Sequence, residues 1–336
     1  MRTLFTSIRS RVTAVLLVLG ATLASCGGGD SPSAPVQYTS VAMAGELLTY
    51  TVDPAALTYS YTITESQFGL TGKTGSGTLV RNLDGSYSPS GIPNARIVIL
   101  PNGLLLGAVR EKFGTAVVTV PIIGMSDPVN SVGALVATYN FMHRGCAYGG
   151  GACVTDIGTF VIGANGTWAS CQGADLSAGP CPTGSTGRTG TLVSLGNGLF
   201  RVMEGTVDVG TAIGFNSAGQ NVLLIDLKDW QRAGGLGVGL VVGSQQAALT
   251  TAQTDGVWIA GNNTGNWAVF TASGTTITVN SVDGIPLQNV TGTFATDKPW
   301  QGLATTDAGG IGFLAGNGVY VLETAAGDAQ LGVKLR

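Results

Sequence analysis

Large apolar and small polar side chains alternate with a period of two residues through most of this sequence. The clearest stretch is 57–64, where Leu, Tyr, Tyr and Ile are each followed by Thr or Ser. A strand with one buried face produces this pattern, because successive side chains point to opposite faces of a sheet. Outside the first 25 residues, no window of helical length carries a sustained apolar stripe at three- and four-residue spacing. The pattern therefore predicts an all-β chain with almost no helix.

Dipeptides typical of tight hairpin turns separate the alternating stretches. They are Asp84-Gly85, Asn102-Gly103, Asn165-Gly166, Asn197-Gly198, Asp283-Gly284 and Asn317-Gly318. Asn-Gly and Asp-Gly accept positive φ at both central positions of a two-residue turn. Short strands joined by such turns indicate an antiparallel meander rather than a parallel sheet covered by helices.

A hairpin repeat accompanies these turns. Four segments share the same offsets from a first glycine to the turn glycine and to an aromatic residue, and a fifth is one residue longer. The first glycines are Gly77, Gly158, Gly190, Gly310 and, in the longer copy, Gly256; the aromatic residues are Tyr87, Trp168, Phe200, Tyr320 and Trp267. Each ring follows the turn on the return strand, where it can cover the buried face of the hairpin. The five rings are therefore predicted to lie in the core.

The spacing between hairpins is irregular, which favours a meander that closes into a barrel, or into two barrel-like lobes at about 41–150 and 151–336. A β-propeller, which needs repeats at a fixed period, and a β-sandwich are the alternatives. The 53 glycines agree with a barrel, since closing a sheet requires strong coiling where side chains would otherwise collide.

Residues 1–25 have the features of a removable export signal. Arg2, Arg9 and Arg11 precede an apolar run that is shorter than the roughly 20 residues needed to span a bilayer as a helix. The sequence Leu23-Ala24-Ser25-Cys26 resembles the lipobox of bacterial lipoproteins. The resemblance implies that Cys26 becomes the first residue of the mature protein and carries a diacylglycerol thioether, usually with an acylated amine such as a palmitoyl amide. The alternative is an ordinary signal peptide with an incidental cysteine.

Residues 26–40 are expected to be the lipidated cysteine and a flexible tether, because the stretch after Cys26 is rich in Gly, Ser and Pro and cannot bury a core. The lipoprotein resemblance implies an outer-membrane location, since Gly27 stands where an Asp would favour inner-membrane retention. Two or more acyl chains anchor a protein stably. The predicted partner is therefore a membrane, reached through the lipid.

Four cysteines follow Cys26: Cys146, Cys153, Cys171 and Cys181. An even number in an exported chain indicates disulfides. The short loops favour pairing of Cys146 with Cys153 and of Cys171 with Cys181. Spacings of six, seventeen and nine intervening residues match no zinc pattern, so no metal or other cofactor is predicted.

Charge and catalytic residues restrict the function. Removal of the export signal leaves 13 basic and 19 acidic residues, a net charge of −6, and no basic cluster, which argues against nucleic-acid binding. His143, the one histidine, is interpreted as a structural or solvent-exposed residue rather than a catalytic one. Glu204, Asp208, Asp226 and Asp229 are the acids that a carboxylate-dependent glycoside hydrolase could use, although their spacing shows no pair.

Two tryptophans, Trp230 and Trp300, are each accompanied by a Lys, an Asp and a Gln and are predicted to lie in loops. A ring flanked by polar groups is typical of sites for sugars and small ligands; the alternative is that both rings plug a barrel end. The predicted function is a non-enzymatic module at the outer membrane that binds a protein partner or a small-molecule or glycan ligand. The alternatives are a structural or assembly lipoprotein of the cell envelope and a glycoside hydrolase.

Overall fold

The computed structural model describes residues 34–92, 95–113, 116–147, 153–232, 235–262 and 265–335. The predicted export signal and Cys26 lie outside these residues. Nearly all of the described chain is antiparallel β-structure, which confirms the all-β prediction. The helices among the described residues are a 3-10 turn at Val132–Leu135 and the single-turn helix α1 at Thr251–Thr254, and none is long and apolar enough to cross a membrane.

The strands form three groups of eight. The first group is β1 (Val36–Ala42), β2 (Glu46–Asp53), β3 (Thr58–Ser66), β4 (Thr74–Arg81), β5 (Tyr87–Pro89), β6 (Val98–Ile99), β7 (Leu104–Phe113) and β8 (Ala116–Met125). The second is β9 (Ala137–Ala147), β10 (Cys153–Ile162), β11 (Thr167–Gln172), β12 (Gly187–Gly196), β13 (Leu199–Glu204), β14 (Val207–Ser217), β15 (Gln220–Arg232) and β16 (Gly235–Gln245). The third is β17 (Gly256–Asn262), β18 (Trp267–Ser273), β19 (Thr276–Val282), β20 (Ile285–Thr296), β21 (Ala304–Thr306), β22 (Ile311–Leu314), β23 (Val319–Glu323) and β24 (Ala329–Lys334).

Each group is an up-and-down meander whose last strand pairs with its first, and in the second and third groups the sheet closes into a barrel. In the first group β5 and β6 stand at the two ends of the strand order, and a single bridge between Tyr87 and Ile97, whose backbones exchange two hydrogen bonds of 2.8 Å, completes what we call the first barrel. The closing of the meander into barrels confirms the predicted fold; strand pairing alone closes two of the barrels, and the first is completed by this single bridge. The expected boundary at 150 and 151 falls between β9 and β10, which pair directly with each other. β1 begins at Val36, inside the segment predicted to be tether.

The three barrels stand side by side and point in the same direction. We call the end at which the first strand of each barrel begins the proximal end, and the other the distal end. At the proximal end the turns between the sixth and seventh strands of the barrels meet. Asn102 Nδ2 donates to Ser217 Oγ (2.7 Å) and to the Asn317 carbonyl (3.4 Å), and Ser217 Oγ donates to the same carbonyl (3.1 Å). Because the three turns are topologically equivalent, the barrels surround a common axis.

The space around this axis is filled by a core that all three barrels share. Apolar side chains on the outward faces of the axial strands build it, including Leu104, Leu106, Ile213, Leu224, Val319 and Leu331. The interiors of the second and third barrels hold separate apolar clusters. The barrels therefore stabilise one another through buried apolar contact.

Cross-strand pairs of an aromatic ring and a glycine recur in the barrels. Tyr59 lies opposite Gly77, Trp168 opposite Gly190, and Tyr320 opposite Gly332. A Cβ on Gly190 would approach the Trp168 ring to 2.7 Å and the Met203 carbonyl oxygen to 1.9 Å, so only glycine fits. This close approach explains many strand glycines. All five repeat aromatics are at most 5% exposed, which confirms that they lie in the core.

Candidate functional site

The two tryptophans singled out in the sequence lie at opposite ends of the second barrel. Trp230 is part of β15, not of a loop, and its backbone pairs with Gly237 at the distal end. Its side chain lies outside the described residues. A register shift between Leu227 and Trp230 interrupts the alternation, and for that reason the sequence there resembles a loop.

Trp300 lies in the proximal connection between β20 and β21 and joins the third barrel to the second. Its Nε1 donates to Asn140 Oδ1 (2.8 Å), and Asn140 Nδ2 donates to the Gln301 carbonyl (2.9 Å). The ring is half-buried and packs against the shared core. Trp230 pairs with Gly237, and Gly237 in turn pairs with Ala147 of β9. Along β9, Ala147 lies about 23 Å from Asn140, the residue that Trp300 contacts. The two tryptophans therefore do not form one surface.

Both predicted disulfides are present, and both brace the distal end of the second barrel. Cys146 and Cys153 are opposite residues of β9 and β10, with Cα atoms 3.9 Å apart. Cys171 in β11 is joined to Cys181 in the segment before β12, at a Cα separation of 5.6 Å. The short loops inferred from the sequence made these pairings predictable.

The interior of the second barrel is apolar in its middle and polar at its distal mouth. Phe160 and Trp168 stack inside it with ring centroids 5.2 Å apart. The cavity that remains beside them is about 10 Å³, which is room for about one water molecule. Trp168 Nε1 is buried and makes no hydrogen bond within the described residues. The filled interior leaves no room for a ligand the size of a sugar.

A ring of polar side chains lies at this distal mouth. His143 Nδ1 is 3.6 Å from Asp156 Oδ2 and 3.5 Å from Gln172 Nε2. Arg188 donates to Glu204 through Nη1 at 2.9 Å. His143 is nearly fully buried, so it is not the solvent-exposed residue that the sequence left as one alternative. Side chains of neighbouring strands therefore contact one another at the mouth, and Arg188 and Glu204 form an ion pair.

The third barrel adds polar contacts to the same distal region. Thr155 Oγ1 donates to the Gly327 carbonyl at 2.9 Å, and Arg144 Nη1 donates to Thr155 Oγ1, also at 2.9 Å. Burial and the negative charge of Asp156 raise the pKa of Glu323 to about 7. Burial lowers the pKa of Arg144, and the charge of Asp328 partly opposes that shift.

A second charged cluster lies between the distal halves of the first and second barrels. Lys228 Nζ is 2.9 Å from Glu65 Oε2 and 3.2 Å from Asp208 Oδ2. Arg201 Nη1 donates to Asp208 Oδ2 at 2.8 Å, and Thr211 Oγ1 donates to Glu65 Oε2 at 2.9 Å. The ammonium group of Lys228 thus bridges an acid of the first barrel and an acid of the second.

Asp226 lies behind this bridge and is 1% exposed. Its Oδ1 makes no hydrogen bond within the described residues. Burial, followed by the charges of Glu65 and Glu46, raises the pKa of Asp226 well above its ordinary value. Burial also raises the pKa of Glu65, but the hydrogen bond and charge of Lys228, with Thr211 and Arg201, outweigh it and lower that pKa overall. The environment therefore raises the pKa of Asp226 and lowers the pKa of Glu65.

Acids with separated pKa values are the pattern of a glycoside hydrolase, and Asp208 and Asp226 were candidates from the sequence. Here, however, Lys228 occupies the space between Glu65 and Asp208 and bonds to both. Asp226 does not reach solvent. Glu204 belongs to the separate cluster with Arg188, and the side chain of Asp229 lies outside the described residues. The described residues also contain no group of three or more His, Cys, Asp or Glu side chains placed to hold a metal ion.

Two equivalent grooves lie on the outer surfaces of the first and second barrels. Each crosses the second, third and fourth strands of its barrel. The groove on the second barrel measures about 590 Å³ and is lined by Val161, Gly163, Thr167, Trp168, Ala169, Thr189, Gly190, Thr191 and Gly205. The groove on the first measures about 430 Å³ and is lined by Pro35, Thr51, Asp53, Thr58, Tyr59, Ser60, Ser76 and Gly77. These volumes fall within the usual range of ligand sites. Sequence reasoning missed the grooves, although the shared Gly-Thr-Leu-Val segments of β4 and β12 were a signal of equivalent surfaces.

No protein-family model matches the chain, and no curated protein matches it in sequence. Among solved structures, that of a protein of unknown function from the DUF3598 family of Nostoc punctiforme is similar over 64% of this chain and 95% of that chain. The sequence identity is 11% and the TM-score is 0.26. A likeness at that level carries no conclusion about fold or function.

Proposed function

We propose that this chain is an outer-membrane lipoprotein anchored through Cys26, and that its barrels form a rigid, non-enzymatic binding module. The basic start, the short apolar run and the lipobox of residues 1–26 support the anchor. The observation that supports the binding role is the pair of equivalent outer grooves on the first and second barrels.

The lining of the grooves favours an uncharged polar ligand. Thr167, Thr189 and Thr191 contribute hydroxyl groups to one groove, and Ser60 and Ser76 to the other. Hydroxyl groups both donate and accept hydrogen bonds, which suits the hydroxyl groups of a glycan. The other polar clusters are less suited to this role, because their charged groups are already paired. Two weak sites on one rigid body would bind a repeating ligand through multivalency.

The alternative of an assembly lipoprotein that pairs through a sheet edge is less favoured, because two of the described sheets are closed barrels and the ends of the first are three- and two-residue strands joined by a bridge. The hydrolase alternative is less favoured because Lys228 separates the partly exposed acids.

The test is to screen the mature chain against neutral oligosaccharides and to titrate those that bind. We expect two sites per chain. Thr189→Arg should abolish one and Ser60→Arg the other, because each places a long cation in a groove. Thr291→Arg, at an exposed strand threonine of the third barrel, is the matched control and should leave both sites. Full binding by the Thr189→Arg, Ser60→Arg double variant would contradict the assignment of the site.

A further inference from the structure

The chain leaves the described structure toward Cys26 at the proximal end of the first barrel. β1 begins there at Val36, and Pro35 lines the groove on the first barrel together with Thr51 and Thr58. Eight residue steps separate Cys26 from Ala34. Even a fully extended chain of that length spans at most about 29 Å. A lipid on Cys26 therefore keeps this end of the molecule close to the membrane surface.

Exposed apolar side chains project from two equivalent hairpins at the same end. Val80 and Leu83 belong to the hairpin between the fourth and fifth strands of the first barrel, and Leu83 is fully exposed. Val193 and Leu195 belong to the hairpin between the fourth and fifth strands of the second barrel and are also exposed. Leu57, in the turn after β2, is a further exposed apolar residue at this end.

Single exposed apolar residues are normal on a protein surface. Here they recur in equivalent hairpins of two barrels, at the end from which the tether leaves. The inter-barrel cluster around Lys228 and the charged mouth around His143 lie toward the distal end, away from the hairpins. The charged side chains at the tips of the hairpins are Arg81 and Asp84, which are exposed beside Val80 and Leu83 and would stay at the level of the headgroups. Side chains of Leu and Val at loop tips are suited to the boundary between lipid headgroups and acyl chains.

We propose that the hairpins carrying Val80 with Leu83 and Val193 with Leu195 dip into the surface of the membrane that holds the Cys26 lipid. This proposal rests on the lipid anchor of the proposed function. The short tether favours shallow insertion, because it holds the hairpins beside the membrane at a high local concentration. The three barrels would then stand upright, with their distal ends facing away from the bilayer.

The test uses the lipidated protein in vesicles of phosphatidylethanolamine and phosphatidylglycerol. Leu83→Cys and Leu195→Cys are labelled with a polarity-sensitive fluorophore. Thr71→Cys, in the exposed distal turn between β3 and β4, is the matched control. We expect emission at positions 83 and 195 to shift to shorter wavelength on vesicles and to be quenched by a lipid-borne quencher, with neither change at position 71.

If the emission at positions 83 and 195 stays like that at position 71, the insertion proposal is overturned. Detection of a lipidated N-terminal peptide in the same sample would show that the anchor proposal still holds. Mass spectrometry of that peptide separates the two proposals. An unmodified Cys26 would overturn the anchor and, with it, this orientation.

Discussion

Asp226 offers a sharp test of the charged contact between the first and second barrels, because its replacement by asparagine removes a titratable group with little change in shape. The carboxyl group is 1% exposed, and burial with the charges of Glu65 and Glu46 raises its pKa well above the model-peptide value of 3.8. Asp208 adds to the repulsion and Lys228 opposes it. The folded protein therefore keeps a proton on Asp226 at pH values where the unfolded chain has lost it.

The sign of the effect follows from this difference in bound protons. Between the unfolded pKa and the raised folded pKa, the folded state binds more protons, so the free energy of unfolding falls as the pH rises. The slope from this one group is about 1.4 kcal/mol per pH unit across that window. Asparagine carries no titratable proton and removes the slope. Asp226→Asn should therefore gain stability relative to the wild type as the pH rises above about 5.

Urea unfolding of the wild type and of Asp226→Asn at pH 5, 6, 7 and 8 measures this difference directly. Asp307→Asn is the control. The pKa of the exposed Asp307 is lowered by hydrogen bonds from the Thr293 backbone and side chain, so both states are ionised above pH 5 and no slope is expected. Stability curves for wild type and Asp226→Asn that run parallel from pH 5 to 8 would refute the reasoning.

Substitutions at three further positions test contacts between and within the barrels by urea unfolding at neutral pH. Lys228→Met should lower the free energy of unfolding by about 2 kcal/mol, because it leaves Glu65 and Asp208 facing each other without their shared cation; no loss would show that the bridge is unimportant. Trp300→Phe should lower the free energy of unfolding by about 1 kcal/mol, because the hydrogen bond to Asn140 is lost, and Trp300→Ala should lower it further. A Trp300→Ala variant as stable as the wild type would show that the ring does not contribute to packing. Trp168→Ala should lower the free energy of unfolding by about 3–5 kcal/mol. A loss smaller than that of Trp300→Ala would contradict the position of Trp168 in the barrel core.

Features set by neighbouring residues were predictable from the sequence. The strands follow from alternation, the turns from Asn-Gly and Asp-Gly, and the buried rings from their fixed offset after the turn. The disulfides join cysteines only 7 and 10 residues apart, so loop length alone favoured the correct pairs. Each of these inferences needed information from one hairpin.

Features set by distant residues were not predictable. The first barrel closes through β5 and β6, strands of three and two residues, which are too short to show a period, so its closure could not be predicted from the pattern. Glu65 meets Thr211 and Lys228 across 146 and 163 residues, and no local pattern links them. The shift in register before Trp230 concealed the end of β15.

The lipid on Cys26 is the claim on which the proposed location and orientation depend. The direct measurement is labelling of the natural chain and of Cys26→Ala, expressed in bacteria supplied with a fatty acid that carries an alkyne. We predict strong labelling of the natural chain, recovered in the outer-membrane fraction, and none of Cys26→Ala. Equal labelling of the two chains, or an unlabelled natural chain with a free Cys26 thiol, would contradict the account.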